Sequence, residues 1–390
     1  MTSILAGLDF YKLTMSQQAW RVAPEAQVTF TLKNRGTQNL LNRMTVSHVE
    51  RALESFEDEP FTPRDITYLM SLGIFHPAYL RYLAFARLPK PHVFEENAEL
   101  RIEVTGDWPL VMFWETVILS TINELWFERL AAYPEYRTQG HETLTHAIKI
   151  LRDREYITFS DFGTRRRFSL AWHKEIVSRL AFELPGQFIG TSNPHFAREF
   201  GITPIGTFAH EMPMVYAALT DKFWNGRGNP LEGHQAMLNG WFDAYGEDYS
   251  IALTDTFGTD FFFETFTQEQ AEQWRGLRHD SGDPFEFALK AIDFYESKGI
   301  DPRTKTLVFS DGLDLTGILA LSNFRDRINV TFGWGTGLTN NVGVHPLNIV
   351  MKATAVDGVG TVKLSDDEGK HTGTPENIAL YLEYKKEFAS

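Results

Sequence analysis

The 390-residue sequence contains no cysteine. That excludes a disulfide framework, a thiolate metal site and a thiol nucleophile, and it leaves the compartment undecided by redox chemistry. No two of its 12 histidines stand four residues apart, and His195, His210, His279 and His371 are widely separated, so a histidine zinc site fails on spacing. Basic residues are in deficit: 37 Lys and Arg against 51 Asp and Glu leave a net charge of −14. This argues against a protein whose main task is gripping a nucleic acid backbone, although the local run Arg165-Arg166-Arg167 survives the argument. The first residues, MTSILAGLDFYKLTM, lack a basic region and make a poor signal peptide, so a cytoplasmic protein is expected. A long uninterrupted apolar run is also missing. The most apolar segment, Leu110 to Leu130, is broken by Glu115, Asn123, Glu124 and Glu128, which would be costly in lipid, and it reads as a buried helix.

With 43% hydrophobic and 23% charged residues the chain is no disordered segment, and its length suits two domains or one barrel with an added layer. Asp9 reads as the N-cap of an early helix from Phe10. Gln27 to Leu32 alternates as a strand does, and Lys33 to Gly36 makes a turn. Helices are predicted over Val46–Glu57 and Pro63–Leu72, the second capped by Thr62, with strands around His92–Phe94 and Leu100–Val104.

After about residue 140 the pattern changes. Seven short strands are predicted: Tyr156–Ser160, Gln187–Gly190, Pro204–Phe208, Ser250–Leu253, Gly276–Arg278, Thr306–Ser310 and Asn329–Phe332. Helices with clear start and stop signals link several of them, at Asn193-Pro194 to Gly201, Asp283-Pro284 to Gly299, and after Asp314. Such alternation implies parallel strands with right-handed crossovers, in a barrel or an open sheet. Asn348–Val356 and Val359–Leu364 read as a hairpin, and a final helix over Asn377–Phe388 closes the chain.

In either architecture ligands gather at the carboxyl ends of the strands. Those ends read SDFGTRRR, GTSN, GTFAHE, TDTFGTD, LRHDSGDP, SDGLDL and FGWGTGL. Seven polar or glycine-rich ends in one order favour a shared site over ordinary turns. FGWGTGL can bring backbone N–H groups onto an anion. Asp311 can accept from sugar hydroxyls, and Asp280 with Arg278 can stabilise positive charge and hold an anion. Asp283 is accounted for as a helix cap. Phe162 and Arg165 can stack a heteroaromatic ring and pair its carboxylate, or else be core and a solvated face. In GTFAHE, His210 beside Glu211 can carry a proton or accept a phosphoryl group.

Taken together, DFYKLTM, SDFGTRRR, GTSN, GTFAHE, LTDTFGTD, RHDSGDP, SDGLD, FGWGTGL and VMKA resemble, in order and spacing, the nicotinate phosphoribosyltransferase family of the bacterial single-chain kind. The resemblance spans nearly the whole chain. It implies an α/β fold, a distorted barrel of the type II phosphoribosyltransferase kind over 141–345, with a second α+β domain built from 1–140 and completed by 346–390. It implies transfer of phosphoribose from phosphoribosyl pyrophosphate to nicotinate, giving nicotinate mononucleotide and pyrophosphate, in NAD salvage. Coupling to ATP hydrolysis through a phosphohistidine and a homodimer with shared active sites are implied as well.

Carried over by motif, His210 resembles the phosphorylated histidine and Glu211 its adjacent acid. Phe162 resembles the residue stacked on the pyridine ring, with Tyr11 supplied from the partner subunit and Arg165 on the carboxylate. Asp280 and Asp311 resemble the ribose ligands, with Arg278 nearby; Gly312, Gly335 and Thr336 would surround the 5′-phosphate, and Lys352 would come from the returning strand. Asp255 belongs to a family motif of less defined role. Ser192 stands where nicotinamide-using relatives have an aspartate, and a serine can donate to a carboxylate that an aspartate would repel. Mg²⁺ is expected to enter with ATP or pyrophosphate, held mainly by phosphates, with no all-protein metal cage. The competing readings are a barrel glycosidase using Asp280 and Asp311, a nicotinamide-using transferase, and a nucleotide binder without turnover.

Overall fold

The computed structural model describes residues 3–224 and 228–388. They fall into two compact units, one comprising Met1–Gly206, Gly312–Leu315 and Gly333–Lys352, the other Thr207–Asp311, Thr316–Phe332 and Ala353–Ser390.

In the first unit, β1 (Gln27–Asn34), β2 (His92–Glu96) and β3 (Glu99–Asp107) form an antiparallel meander. Phe30 faces Val104 across β1 and β3, and Val93 faces Ile102 across β2 and β3. Alternation decides the buried face: Val28, Phe30, Leu32, Leu100, Ile102 and Val104 point inward. The helix Pro63–Ser71 is held by a reciprocal capping box between Thr62 and Asp65. Leu110 to Leu130 is helical, as Trp108–Val111 and Trp114–Ala131. It is long and apolar enough to cross a membrane, but 83% of its most apolar 18-residue window is buried within the protein, which fits a core helix. Two parallel strands follow, β4 (Thr158–Asp161) and β5 (Phe188–Thr191), with the helix Leu170–Glu183 between them.

The second unit holds β6 (Ile251–Leu253), β7 (Gly276–His279), β8 (Thr306–Phe309) and the start of β9 (Asn329–Trp334), each parallel to the next. All four residues of β7 are buried, as expected of a strand covered on both faces. Gly276 is required there: a Cβ would sit 1.8 Å from the Thr306 carbonyl oxygen. The helix Pro284–Ser297, capped by Asp283, returns the chain from β7 to β8. After β10 (Ile349–Val356), a tight Asp357-Gly358 turn with both φ values positive leads into β11 (Val359–Gly360). β9 and β10 each begin in one unit and end in the other.

All the parallel strands lie within 141–345 and all the antiparallel strands outside it, whereas the compact units are cut elsewhere. Two predicted strands shrink. Pro204–Phe208 is reduced to a single bridge, Pro204 beside Thr191, because Pro204 has no N–H to give and only Ile205 N–H reaches the Thr191 carbonyl. The predicted Val359–Leu364 strand stops at Gly360. Beyond it, Thr361 N–H still reaches the Thr354 carbonyl of β10, but Leu364 N–H bonds the Thr256 carbonyl, and this departure carries Lys363 away from the hairpin.

Candidate active site

In the second unit the ends of β6, β7 and β8 supply Asp255, Asp280 and Ser310, and His210 stands just before the helix Glu211–Trp224. His210 Nδ1 lies 3.0 Å from Thr256 Oγ1. Its Nε2 lies 3.0 Å from Asp280 Oδ2 and 2.9 Å from Lys363 Nζ. These two neighbours make opposite demands: the carboxylate accepts from a protonated Nε2, the ammonium donates to a bare one. The Thr256 hydroxyl can donate or accept, so both neutral tautomers are complete. Burial, then the Lys363 charge, pushes the His210 imidazolium pKa down to about 4, so the ring is neutral at pH 7.

Asp255 is 3.2 Å from Lys363 Nζ and accepts a 2.6 Å hydrogen bond from Ser281, which in turn receives one from Ser365. Burial would raise the pKa of Asp280, but its contact with His210 and the Arg278 charge outweigh that and hold it well below the usual carboxylate range. Ser310 donates to its other oxygen. Asp311 is more exposed and pairs with Lys370 at 2.9 Å. Sequence reasoning placed Glu211 as the acid at His210; the carboxylates at the ring are instead Asp280 and, at 3.7 Å, Asp255. A helical start turns the backbone after His210, and Glu211 begins the helix as a buried residue.

Ligand atoms of His210, Asp255 and Asp280 lie within 4.8 Å of one another, a spacing that suits a cation, and Asp255 Oδ1 is buried without a hydrogen-bond partner. The Lys363 ammonium stands among the same atoms. With Lys363 and Arg278 opposite Asp255 and Asp280, local charge balances without a divalent ion, so the cluster suits a metal that arrives with its own phosphate ligands.

The first unit holds a second cluster. Arg165 Nε is 3.1 Å from Asp9 Oδ2, and its guanidinium also reaches within 3.5 Å of Glu115. Lys12, fully buried, pairs with Glu115 at 2.6 Å, and Lys352 adds to the charges that lower the Glu115 pKa against its burial. Two corrections follow. Asp9 does not cap its helix; its carboxylate accepts from Ser192 Oγ at 2.6 Å. The Ser192 proton is therefore committed to Asp9 rather than open to a ligand carboxylate. Tyr11 is buried, with the Arg165 guanidinium 5.7 Å from its ring centroid.

The arginine run is no solvated face. Arg167 bonds Glu124 and the Ala6 carbonyl, and Arg166 reaches the Ile349 carbonyl. Below them, buried His173 and Thr191 both bond Asp161 Oδ2, fixing the strand end that carries Phe162.

The glycine loop has packing causes. A Cβ on Gly333 would lie 2.3 Å from the Phe162 ring, and one on Gly337 would lie 2.5 Å from the Leu313 carbonyl oxygen. Gly335 is tight against the Phe162 carbonyl at 3.3 Å, and Thr336 begins a single helical turn, Thr336–Thr339. Gly312, unlike Gly333, Gly335 and Gly337, combines a left-handed φ of 58° with open space where a side chain would be. Lys363, Thr256 and Lys370 are not singled out by the sequence. Glu115 and Glu124, carboxylates in an apolar helix, are the signals of buried cation partners, Lys12 and Arg167.

The fold is of an α/β enzyme class, with buried acids, cations and an imidazole at the carboxyl ends of parallel strands. The chain belongs to the nicotinate phosphoribosyltransferase (NAPRTase) family, whose model matches residues 157–388 and whose N-terminal domain model matches residues 7–123. Nicotinate phosphoribosyltransferase 1 of Pseudomonas aeruginosa is 37% identical over 97% of this chain and 95% of that protein. The nicotinate phosphoribosyltransferase of Herminiimonas arsenicoxydans is 38% identical over 96% and 95%. The crystal structure of nicotinate phosphoribosyltransferase from Porphyromonas gingivalis matches with a TM-score of 0.90 at 32% identity, covering 99% of this chain and all of that one. The α/β fold with a separate antiparallel domain is the family's own.

Proposed function

We infer that this chain transfers the phosphoribosyl group of phosphoribosyl pyrophosphate to the ring nitrogen of nicotinate, forming nicotinate mononucleotide and releasing pyrophosphate. Family membership over both domains is the observation that carries this reading. In the first unit, Phe162 offers an aromatic face and Arg165 an accessible cation for an aromatic acid. In the second, Asp280 and Asp311 are acceptors for ribose hydroxyls and stabilise positive charge as the ribosyl–oxygen bond breaks, with Arg278 on the pyrophosphate side. Gly312, Gly335 and Thr336 serve the 5′-phosphate.

We further propose coupling to ATP through His210. A neutral imidazole whose Nε2 faces a lysine is a competent phosphoryl acceptor, and Lys363 then neutralises the transferred group. Mg²⁺ enters with the phosphates, and Asp255, Asp280 and His210 are the residues that would meet it; when bound it screens phosphate charge. A homodimer in the cytoplasm completes the reading. The test is formation of nicotinate mononucleotide from nicotinate and phosphoribosyl pyrophosphate, with and without ATP. Retention of phosphate by the wild type but not by His210→Asn checks the coupling; equal labelling of both removes the phosphohistidine assignment.

A further inference from the structure

Asp9 precedes the helix Phe10–Val22 yet caps none of its backbone N–H groups. Its carboxylate is buried, 1% exposed, with Oδ1 accepting from Ser192 and Oδ2 3.1 Å from Arg165 Nε, without a hydrogen-bond partner. The accessible end of this network is the guanidinium: the Arg165 side chain is 40% exposed, against 2% for Asp9 and 11% for Glu115.

The remaining charges are accounted for. Glu115, on the helix Trp114–Ala131, has Lys12 at 2.6 Å, with Lys352 of β10 adding its charge. Asp161, at the end of β4, has His173, and its negative charge acts against ionisation of Asp9. Arg165 is thus the cation that favours ionisation of Asp9 against its burial, and it is also the one an incoming anion meets.

We propose that Asp9 is a specificity-determining residue: a substrate carboxylate that binds Arg165 displaces Asp9 from it and is accompanied by uptake of one proton onto Asp9 Oδ2. The inference rests on the reading that nicotinate pairs with Arg165. The balance is simple: a solvent proton forms one O–H bond at Oδ2, and no bond of the substrate breaks.

Burial already raises the Asp9 pKa, with Arg165, Ser192 and Thr164 holding part of it down. Drawing the guanidinium toward a second anion raises it further, so the bound complex holds a proton that the free protein lacks. Protonated, Asp9 presents an O–H that a carboxylate accepts; ionised, it repels the same ligand. A neutral amide brings no charge to Arg165 and calls for no proton. Discrimination between acid and amide then lies in a proton taken from solvent, with Ser192 acting through Asp9.

The experiment is calorimetric titration of the intact protein with nicotinate from pH 6 to 9, in pairs of buffers of different ionisation enthalpy. The dependence of heat on buffer gives the protons bound. The expected result is uptake rising toward one proton per nicotinate as pH rises, with affinity falling about tenfold per pH unit where uptake is complete. Infrared difference spectra of the wild type should gain a protonated-carboxyl band on binding. Asp9→Asn should abolish the uptake and Glu115→Gln should keep it. Nicotinate binding with zero uptake and no pH dependence overturns the proposal alone, as does uptake that persists in Asp9→Asn. Absence of any nicotinate binding overturns the transferase reading with it.

Discussion

Lys363 Nζ stands 2.9 Å from His210 Nε2, and Asp280 Oδ2 stands 3.0 Å from the same nitrogen on a different strand end. A donor and an acceptor therefore compete for one ring nitrogen, and the winner sets which imidazole nitrogen carries the proton. In our reading the lysine-facing tautomer is the one that accepts a phosphoryl group.

Lys363→Met should slow phosphorylation by ATP about a hundredfold, equivalent to about 2.7 kcal/mol of transition-state stabilisation. Removing the ammonium releases Nε2 to protonate toward Asp280 and leaves the transferred group without its cation. Rapid-quench measurement of acid-labile protein phosphate checks this; an unchanged rate would place Lys363 outside the reaction.

Phosphorylation should be nearly independent of pH from 6 to 8 and decline only as pH approaches the depressed His210 pKa of about 4. A histidine of ordinary pKa would instead lose half its neutral form near pH 6.5. Labelling rates across this range, at constant ATP and ionic strength, separate the two.

His234 carries a stability prediction. It is 2% exposed, neither ring nitrogen has a hydrogen-bond partner, and Phe257, Phe261 and Phe262 surround it. Burial pushes its pKa down to about 4. The folded value lies below the unfolded one, so the unfolded chain binds more protons and stability falls as pH drops through the window from about 6.5 to about 4. The expected loss from His234 between pH 7 and 5 is on the order of 2 kcal/mol. Denaturant unfolding of wild type and His234→Leu at both pH values tests it: the variant should show a loss smaller by that amount.

Gly333→Ala should cost roughly 1–3 kcal/mol of stability, the usual range for overpacking. The added Cβ would fall 2.3 Å from the Phe162 ring. Because the ring must move, KM for nicotinate should rise more than KM for phosphoribosyl pyrophosphate. Steady-state kinetics resolve the two, and equal changes would mean that Phe162 does not touch the pyridine.

Much of this was legible in the sequence. β7, β8 and β9 were readable because a short apolar run and a polar end define a buried parallel strand, and Asn193 and Asp283 announced the helices that follow them. Asp255, Asp280 and His210 could be singled out as residues, but their convergence depends on strand register. Lys363 was hidden inside a predicted strand, since nothing local shows that the backbone leaves β10 after Thr361 for the Thr256 carbonyl. Asp9 misled for the opposite reason. Its local pattern is that of a helix cap, and the long-range pull of Arg165 and Ser192 overrides it.

The measurement that bears most directly on the central claim is product analysis with purified protein, phosphoribosyl pyrophosphate, Mg²⁺ and ATP, supplied with either nicotinate or nicotinamide. The expected result is nicotinate mononucleotide and pyrophosphate in equal amounts from nicotinate, faster with ATP than without, and no mononucleotide from nicotinamide. Failure to convert nicotinate, or conversion of nicotinamide in its place, would contradict the account.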